Sequence, residues 1–314
     1  MAEHTPVLLK ESLDLLQPKK GENFIDCTFG AGGHSTHILK KIKSGHLLGI
    51  EADKNTFAEA KENFSDFDNL ILVNDNFTNL NQIIKNNFPY PVNGILFDLG
   101  LSSMELDKST KGFSFLRDED LDMRLDSQSQ SLTAGAILNN YSEAKLNQIF
   151  QDLGEINRGL SNKITKAIVN KRKRKPFLTT FDLSAVILEN MYPSAWQKGQ
   201  ITVATKYFYH HRQKLIHPAT KFFQALRLEV NNELGNLLEA LTQALNILSP
   251  GGRLVVISFH SLEDRIVKNV FRDLSKVANS SIKILTKKPI VPSADELKTN
   301  PRSRSAKLRA IIKT

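Results

Sequence analysis

Phe24-Ile25-Asp26-Cys27-Thr28-Phe29-Gly30-Ala31-Gly32-Gly33-His34 joins a short apolar run to a glycine-rich turn. A strand that ends in such a turn and opens a helix lets backbone N–H groups approach a ligand closely. A nucleotide-like cofactor is therefore implied. The dinucleotide fingerprint G-x-G-x-x-G needs a third glycine where this chain has Ser35, and Asp26 stands ahead of the first glycine. That pattern suits S-adenosylmethionine better than a nicotinamide dinucleotide. Asp53 follows Gly30 by 23 positions, where a carboxylate can accept hydrogen bonds from both ribose hydroxyls. Glu51 is the neighbouring candidate, and the plainer reading makes Asp53 the N-cap of the next helix. Asp75 and Phe77 follow a third apolar run, where an adenine could lie against the aromatic ring. Asp98 closes a fourth in Phe97-Asp98-Leu99-Gly100. Ligands of open α/β sheets sit beyond the carboxyl ends of the strands, so Asp98 faces the place where chemistry would occur.

Three further residues could do chemistry. Asp122 and Arg124 are two apart and share a face if their segment is extended, although a structural ion pair is the ordinary reading of such a pair. His260 follows an apolar strand and precedes Ser261, which with Asp264 resembles a capping box. Asn232 and Glu233 read as an exposed helix face, and the single cysteine, Cys27, as packing beside the loop.

These residues need a scaffold, and the hydrophobic pattern supplies one. Apolar runs at Phe24 to Cys27, His46 to Glu51, Leu70 to Val73 and Gly94 to Asp98 alternate with helical patterns at 35–43, 55–64 and 80–86, which predicts consecutive βαβ units. From Ser102 to about Ala219 no strand is predicted. Instead Ile156, Leu160, Ile164 and Ile168, and Leu146, Ile149, Phe150 and Leu153, trace helical stripes. Phe222 to Leu245 then reads as one long helix, Arg253 to Ile257 as a strand, 262–274 as a helix, 286–305 as a loop, and Ala306 to Lys313 as a last strand. The sheet resumes after the insertion, so one discontinuous domain (1–103 and 220–314) is expected to carry a helical domain (104–219).

Composition narrows the classes. The 314 residues are 40% hydrophobic and 24% charged, close to the globular average, and no apolar stretch approaches the roughly 18 residues of a membrane span. Residues 1–16 lack a leader pattern, so a cytoplasmic protein is expected. One cysteine and unpaired histidine spacings give no metal motif. The net charge of +9 suits a polyanionic partner. Lys171-Arg172-Lys173-Arg174-Lys175 is an unbroken basic run that exceeds what helix capping requires.

Taken together the motifs resemble those of the bacterial 16S rRNA (cytosine-N4)-methyltransferase family, whose target is cytosine 1402 near the ribosomal P site. The blocks are His4-Thr5-Pro6-Val7-Leu8-Leu9, Asp26 to Ser35, Phe97 to Ser103, Gly112-Phe113-Ser114-Phe115, Leu121-Asp122-Met123-Arg124, His217-Pro218-Ala219-Thr220, Gly251 to Leu254, Ser258 to Arg265, and Asn300 to Ser305. The resemblance implies a class I S-adenosylmethionine-dependent methyltransferase, an α/β Rossmann-like sheet with an inserted all-helical RNA-recognition domain. It implies cofactor contacts from Gly33, His34, Ser35, Asp53, Phe77, Asp98 and position 105. There the family usually has Gln after a Pro, and this chain has Met104 and Glu105. Asp98, Asp122, Arg124 and His260 are the candidate catalytic residues, and 16S rRNA, within the 30S subunit, the expected partner. Many amino methyltransferases place an acidic or amide residue before two prolines and an aromatic; no such motif stands at Asp98. A homodimer stays open, as does a rival reading from another class, a non-enzymatic RNA-binding ribosome assembly factor.

Overall fold

The computed structural model describes residues 6–100, 110–127, 130–206, 208–210, 213–215, 217–277 and 281–314. The chain forms two compact units, one of Met1–Gly100 with Leu234–Thr314 and one of Leu101–Glu233.

The first unit opens with α1 (Leu9–Leu16), β1 (Phe24–Asp26), α2 (Gly33–Ile42), β2 (Leu47–Glu51), α3 (Lys54–Asn63), β3 (Leu70–Asn74), α4 (Leu80–Asn87) and β4 (Val92–Asp98). This is the predicted βαβ alternation. β1 lies between β2 and β4 and pairs in parallel with both, and β3 extends the sheet beyond β2. β1 is buried throughout and β2 up to its last residue, as expected of parallel strands covered on both faces. Phe24 and Leu96 enter the core on one side of the sheet, and Ile25, Ile95 and Phe97 the core on the other.

The second unit contains α5 (Ala134–Asn140), α6 (Glu143–Asp152), α7 (Arg158–Arg172), α8 (Thr180–Met191), α9 (Pro193–Gln197), β5 (Phe208–His210), β6 (Gln213–Leu215) and α10 (Thr220–Asn231). The predicted stripes hold its core: Leu146, Ile149 and Phe150 from α6 meet Ile156, Ile164, Ile168 and Phe222. Two expectations fail here. The unit is not all helical, because β5 and β6 pair as an antiparallel hairpin; three residues per strand are too few for a period-two pattern to register. The long helix expected from Phe222 to Leu245 is two, α10 and α11 (Glu233–Ile247), separated at Asn232 with φ 47°. Asparagine enters the left-handed region more readily than most residues, and the apolar spacing runs on across the break and conceals it.

The first unit then resumes with α11, β7 (Leu248–Ser258), α12 (Ser261–Ser275), β8 (Ile282–Ile284), α13 (Ala294–Thr299) and β9 (Lys307–Lys313). β7 pairs in parallel with β4, and β9 inserts antiparallel between β7 and β8. The sheet order is β3-β2-β1-β4-β7-β9-β8, the Rossmann-like α/β architecture expected from the resemblance. The order reverses between β1 and β4, which opens a crevice at their carboxyl ends. Residues 286–305, expected as loop, contain α13 and a 3-10 turn, Pro301–Ser305. Glu296 of α13 accepts a hydrogen bond from Leu8 N at 2.8 Å, so this segment braces the start of α1. No helix among the described residues is long and apolar enough to cross a membrane.

Gly49 on β2 shows how tightly the sheet holds the loop above it. An added Cβ would lie 2.3 Å from the Phe29 ring and 2.7 Å from Leu72. Gly49→Ala is expected to cost roughly 1–3 kcal/mol through overpacking, read as a lower midpoint in urea unfolding. Gly159→Ala, in the first turn of α7 where the nearest atom is 3.5 Å away, should leave the midpoint unchanged or raise it.

Candidate active site

Asp26 ends β1 and is 2% exposed. Its Oδ1 accepts from Thr28 N at 3.1 Å and Thr28 Oγ1 at 3.4 Å, and its Oδ2 from Ser35 Oγ at 2.7 Å. These donors are available because the chain turns back through Gly30 and Gly32, at φ 54° and 74°, so that α2 delivers Ser35 over the end of β1. Burial raises the Asp26 pKa while the three hydrogen bonds pull it down. Thr28 Oγ1 also accepts from Asp98 N at 2.7 Å, which ties β4 to the same loop. Gly33 permits a second close approach: a Cβ there would lie 2.7 Å from Pro6.

Glu51 and Asp53 divide the work at the end of β2. Glu51 Oε2 accepts from Gly30 N at 2.9 Å and Oε1 from Asp53 N at 2.8 Å, so Glu51 joins the glycine loop to the β2–α3 turn. Asp53 caps α3, its Oδ1 accepting from Thr56 N at 2.7 Å. Capping occupies one carboxylate oxygen of a half-buried side chain, so the cap and a ribose contact are compatible. Beyond β3, Phe77 is half-buried and sets its ring edgewise against Phe97, centroids 5.7 Å apart. Asp75 Oδ1 accepts from Asn76 N and Asn79 Nδ2, both at 2.7 Å.

At the end of β4 the Asp98 side chain is 25% exposed, but its Oδ1 is buried and has no hydrogen-bond partner among the described residues. Oδ2 lies 3.6 Å from Nδ1 of the buried His34, whose Nε2 is 3.0 Å from the Val7 carbonyl. Burial first, then the charges of Asp26 and Glu263, push the Asp98 carboxyl well above the usual carboxylate range. Glu263 comes from α12. Its Oε2 accepts from Phe259 N at 2.8 Å and His260 N at 3.2 Å, while His260 Nδ1 accepts from Glu263 N at 3.4 Å. The capping box is thus His260 with Glu263, where the sequence suggested Ser261 with Asp264. Asp264 is engaged elsewhere, bound by Arg309 of β9 at 2.6 and 3.2 Å. His260 Nε2 sits 3.1 Å from Glu263 Oε1 and is buried, with no hydrogen bond among the described residues.

Asp122 and Arg124 belong to the other unit. They close on each other, Arg124 Nε on Asp122 Oδ1 at 2.6 Å and Nη2 on Oδ2 at 2.8 Å, with Arg124 Nη1 also on the Gln130 carbonyl at 2.8 Å. The segment between them is not extended: Met123 has φ 60°. Asn231 clamps that turn, donating to Met123 O at 2.8 Å and accepting from Leu125 N at 2.9 Å. The Arg124 hydrogen bonds hold the Asp122 carboxyl below its usual value. Glu105 lies outside the described residues. The basic run divides as well: Lys171 Nζ binds Asp182 O at 3.0 Å, Arg172 Nη1 binds Leu138 O at 2.7 Å and Lys175 Nζ binds Asp182 Oδ1 at 3.1 Å. Lys173 and Arg174 are exposed.

Comparison with known proteins shows the family of the chain. The sequence pattern described as the MraW methylase family matches residues 1–314. The chain belongs to the MraW methylase family. Its relatives include "Ribosomal RNA small subunit methyltransferase H" of Sulfurihydrogenibium sp., 44% identical over 310 residues, and of Persephonella marina, 42% identical over 310 residues, each match covering 98% of both chains. The protein of the same name from Halothermothrix orenii is 40% identical over 323 residues, again 98% of both. As a MraW methylase the protein is an S-adenosylmethionine-dependent methyltransferase, and the residues present fit that cofactor. Its sulfonium and ammonium are cationic, and the carboxyl ends of the strands hold a buried Asp98 oxygen with no partner among the described residues, together with the acids Asp26 and Glu263. Thr28 and Glu263 escaped the sequence reading. Thr28 carries no motif of its own, and Glu263 would have stood out only had histidine been counted among N-cap residues.

The raised Asp98 pKa makes a signed prediction for the cofactor-free protein. The native state binds more protons than the unfolded state between the unfolded carboxylate value, about 3.9, and the raised native one. Stability therefore falls as pH rises through that window. Asp98→Asn removes this loss, so the melting temperature of the variant minus that of the wild type should grow from pH 5 to pH 8. A difference that stays constant or shrinks would contradict the assignment.

Proposed function

We propose that this methyltransferase methylates N4 of cytosine 1402 in 16S rRNA, acting in the cytoplasm on RNA within the 30S subunit. The observation that carries the reading is the full-length likeness to relatives named ribosomal RNA small subunit methyltransferase H. Gly33, His34 and Ser35 at the start of α2, Asp53, Phe77 and Asp98 hold the cofactor, and Glu105 takes the place of the usual Gln. When bound, S-adenosylmethionine supplies an electrophilic methyl group.

The chain's own task is to present the base. The lone pair of a cytosine amino nitrogen is delocalised into the ring, so an acceptor for one N4 hydrogen helps the nitrogen to pyramidalise. Holding nitrogen and methyl in line is worth roughly 7–11 kcal/mol at most. An ionised Asp98 is that acceptor. His260 takes a different part: with Nδ1 accepting from Glu263 N, the neutral ring carries its proton on Nε2 and can only donate there. It therefore orients the base through one of its acceptors. Asp122 and Arg124 act by fixing the turn around Met123.

The base must leave its stack, which costs a few kcal/mol that phosphate contacts offset. Lys166, Lys173 and Arg174 form the RNA-facing part of α7 and its C-terminal end. All three are exposed, and none has a side-chain partner among the described residues. Lys171, Arg172 and Lys175 secure the helix end instead.

Labelled S-adenosylmethionine should transfer methyl to 30S subunits from a strain lacking the activity, and mass spectrometry should find N4-methylcytosine at position 1402. Asp53→Ala should reduce the rate strongly. Label confined to another nucleotide would overturn the assignment. A Lys166→Ala, Lys173→Ala, Arg174→Ala variant should melt like the wild type. Its RNA affinity should depend less steeply on salt, the log–log slope falling by about 2 for three lost contacts to single-stranded RNA. An unchanged slope would remove α7 from the RNA surface.

A further inference from the structure

We propose that the turn Pro301–Ser305 and the start of β9 form a second RNA contact, which grips backbone phosphates of the target strand beside the crevice. The inference rests on RNA as the substrate and holds whichever nucleotide is modified. It adds a surface on the first unit to the one on α7.

Strand register places this segment at the working edge of the sheet. Asp98 at the end of β4 pairs with Ile257 of β7, Ile257 with Leu308 of β9, and Leu308, on its other side, with Ile290. Neighbouring strands are about 4.8 Å apart, so the Leu308 backbone lies roughly 10 Å from that of Asp98 along one row. β9 runs antiparallel to β7. Its first residues, and the turn ahead of them, therefore stand at the carboxyl ends of the parallel strands. Ser258 Oγ fastens this corner by donating to Lys307 O at 3.3 Å.

The turn is anchored from within and charged without. Ser303 is fully buried and donates its Oγ to Asn300 O at 2.8 Å, and the N–H of the buried Ala306 closes on Ser303 O at 2.8 Å. Arg302, Arg304 and Ser305, which flank these anchors, are exposed, and Arg304 has no side-chain partner among the described residues. In β9 the buried Arg309 takes Asp264 in two hydrogen bonds, at 2.6 and 3.2 Å. Lys307 Nζ, 3.7 Å from the same carboxylate, is then a surplus cation. Lys287 and Lys288 are exposed ahead of Ile290 and continue the charge along the row. Of the acids on α13, Asp295 is paired with Lys298 at 3.4 Å and Glu296 is held by Leu8 N. Arginine presents a planar fork that matches a phosphate, and a turn already fixed loses little freedom on binding. A nucleotide unstacked toward Asp98 brings its flanking phosphates to this same edge. Proximity to the reacting base selects an RNA backbone, over an acidic protein segment, as the occupant.

The measurement is binding of the full chain to 30S subunits that lack the modification, and to protein-free 16S rRNA, as a function of salt. Arg304→Ala combined with Lys307→Ala is compared with Lys19→Ala combined with Lys20→Ala, which removes the same charge from two exposed residues ahead of β1, at the opposite edge of the sheet. Both variants should melt like the wild type and bind S-adenosylmethionine with unchanged affinity. The log–log salt slope of the first should fall by about 1.4 for two lost contacts to single-stranded RNA, and that of Arg304→Ala alone by about 0.7. The second should keep the wild-type slope. A slope unchanged in the first variant and in Arg304→Ala, or lowered equally by the changes at both edges, would overturn this contact and leave the methylation reading intact. A loss confined to 30S subunits, absent with protein-free rRNA, would assign the surface to a ribosomal protein and overturn it as well. Wild-type protein that neither binds nor methylates either RNA would overturn the RNA reading and this contact with it.

Discussion

A carboxylate cannot be buried without donors, and Asp26 finds its donors in the glycine loop itself. Removing an ionised group from water costs several kcal/mol unless hydrogen bonds compensate. Thr28 and Ser35 provide them, but only in a chain that has turned through two left-handed glycines. The loop conformation, the start of α2 and the end of β1 are therefore one requirement seen from three sides. Thr28 extends it to β4 by accepting the Asp98 N–H, and Glu51 extends it to β2 by binding Gly30 N and Asp53 N. This network fixes the candidate site residues in the ligand-free protein, and such preorganisation lowers the entropy that binding must overcome.

The parts of this arrangement that repeat with a period were legible in the sequence. The alternation of apolar runs and helical stripes located β1 to β4 and the core of the second unit, because burial on a helix or strand leaves a regular trace. The end of the helix at Asn231 left none, since the stripe from Phe222 to Leu245 keeps its spacing on both sides of Asn232. The β5–β6 hairpin was too short. The site residues divide in the same way. Gly30, Asp53 and Asp98 stand at strand ends, where position itself indicates a role, whereas the part played by Glu263 depends on a histidine cap, and that of Thr28 on a strand 70 residues away. Charge counts do not reveal which side chains of the basic run already hold a carbonyl or carboxylate; Lys171, Arg172 and Lys175 do.

Charge of opposite sign is used at different depths. The crevice at the carboxyl ends of the strands concentrates acids where water is scarce, and a cation there would interact in a low effective dielectric that salt screens weakly. The excess of lysine and arginine behind the net charge of +9 lies largely at the surface, where ionic strength governs attraction to a polyanion. One chain can thus bind a cationic cofactor and an anionic nucleic acid with little competition between them.

The pairing of β4 with β7 brings a different burden. Asp98 pairs with Ile257, so two neighbouring strands at the centre of the sheet must find each other across the whole second unit. This is a contact of very long range, and such contacts slow folding more than they affect final stability. The closure entropy grows only logarithmically, about 0.6 kcal/mol for each doubling of the loop, but it must be met before the strands repay it. The intervening residues have their own hydrophobic core, and their prior collapse would replace a long random coil by a compact body. Folding of the second unit ahead of the sheet would thus shorten the search by which β4 and β7 meet.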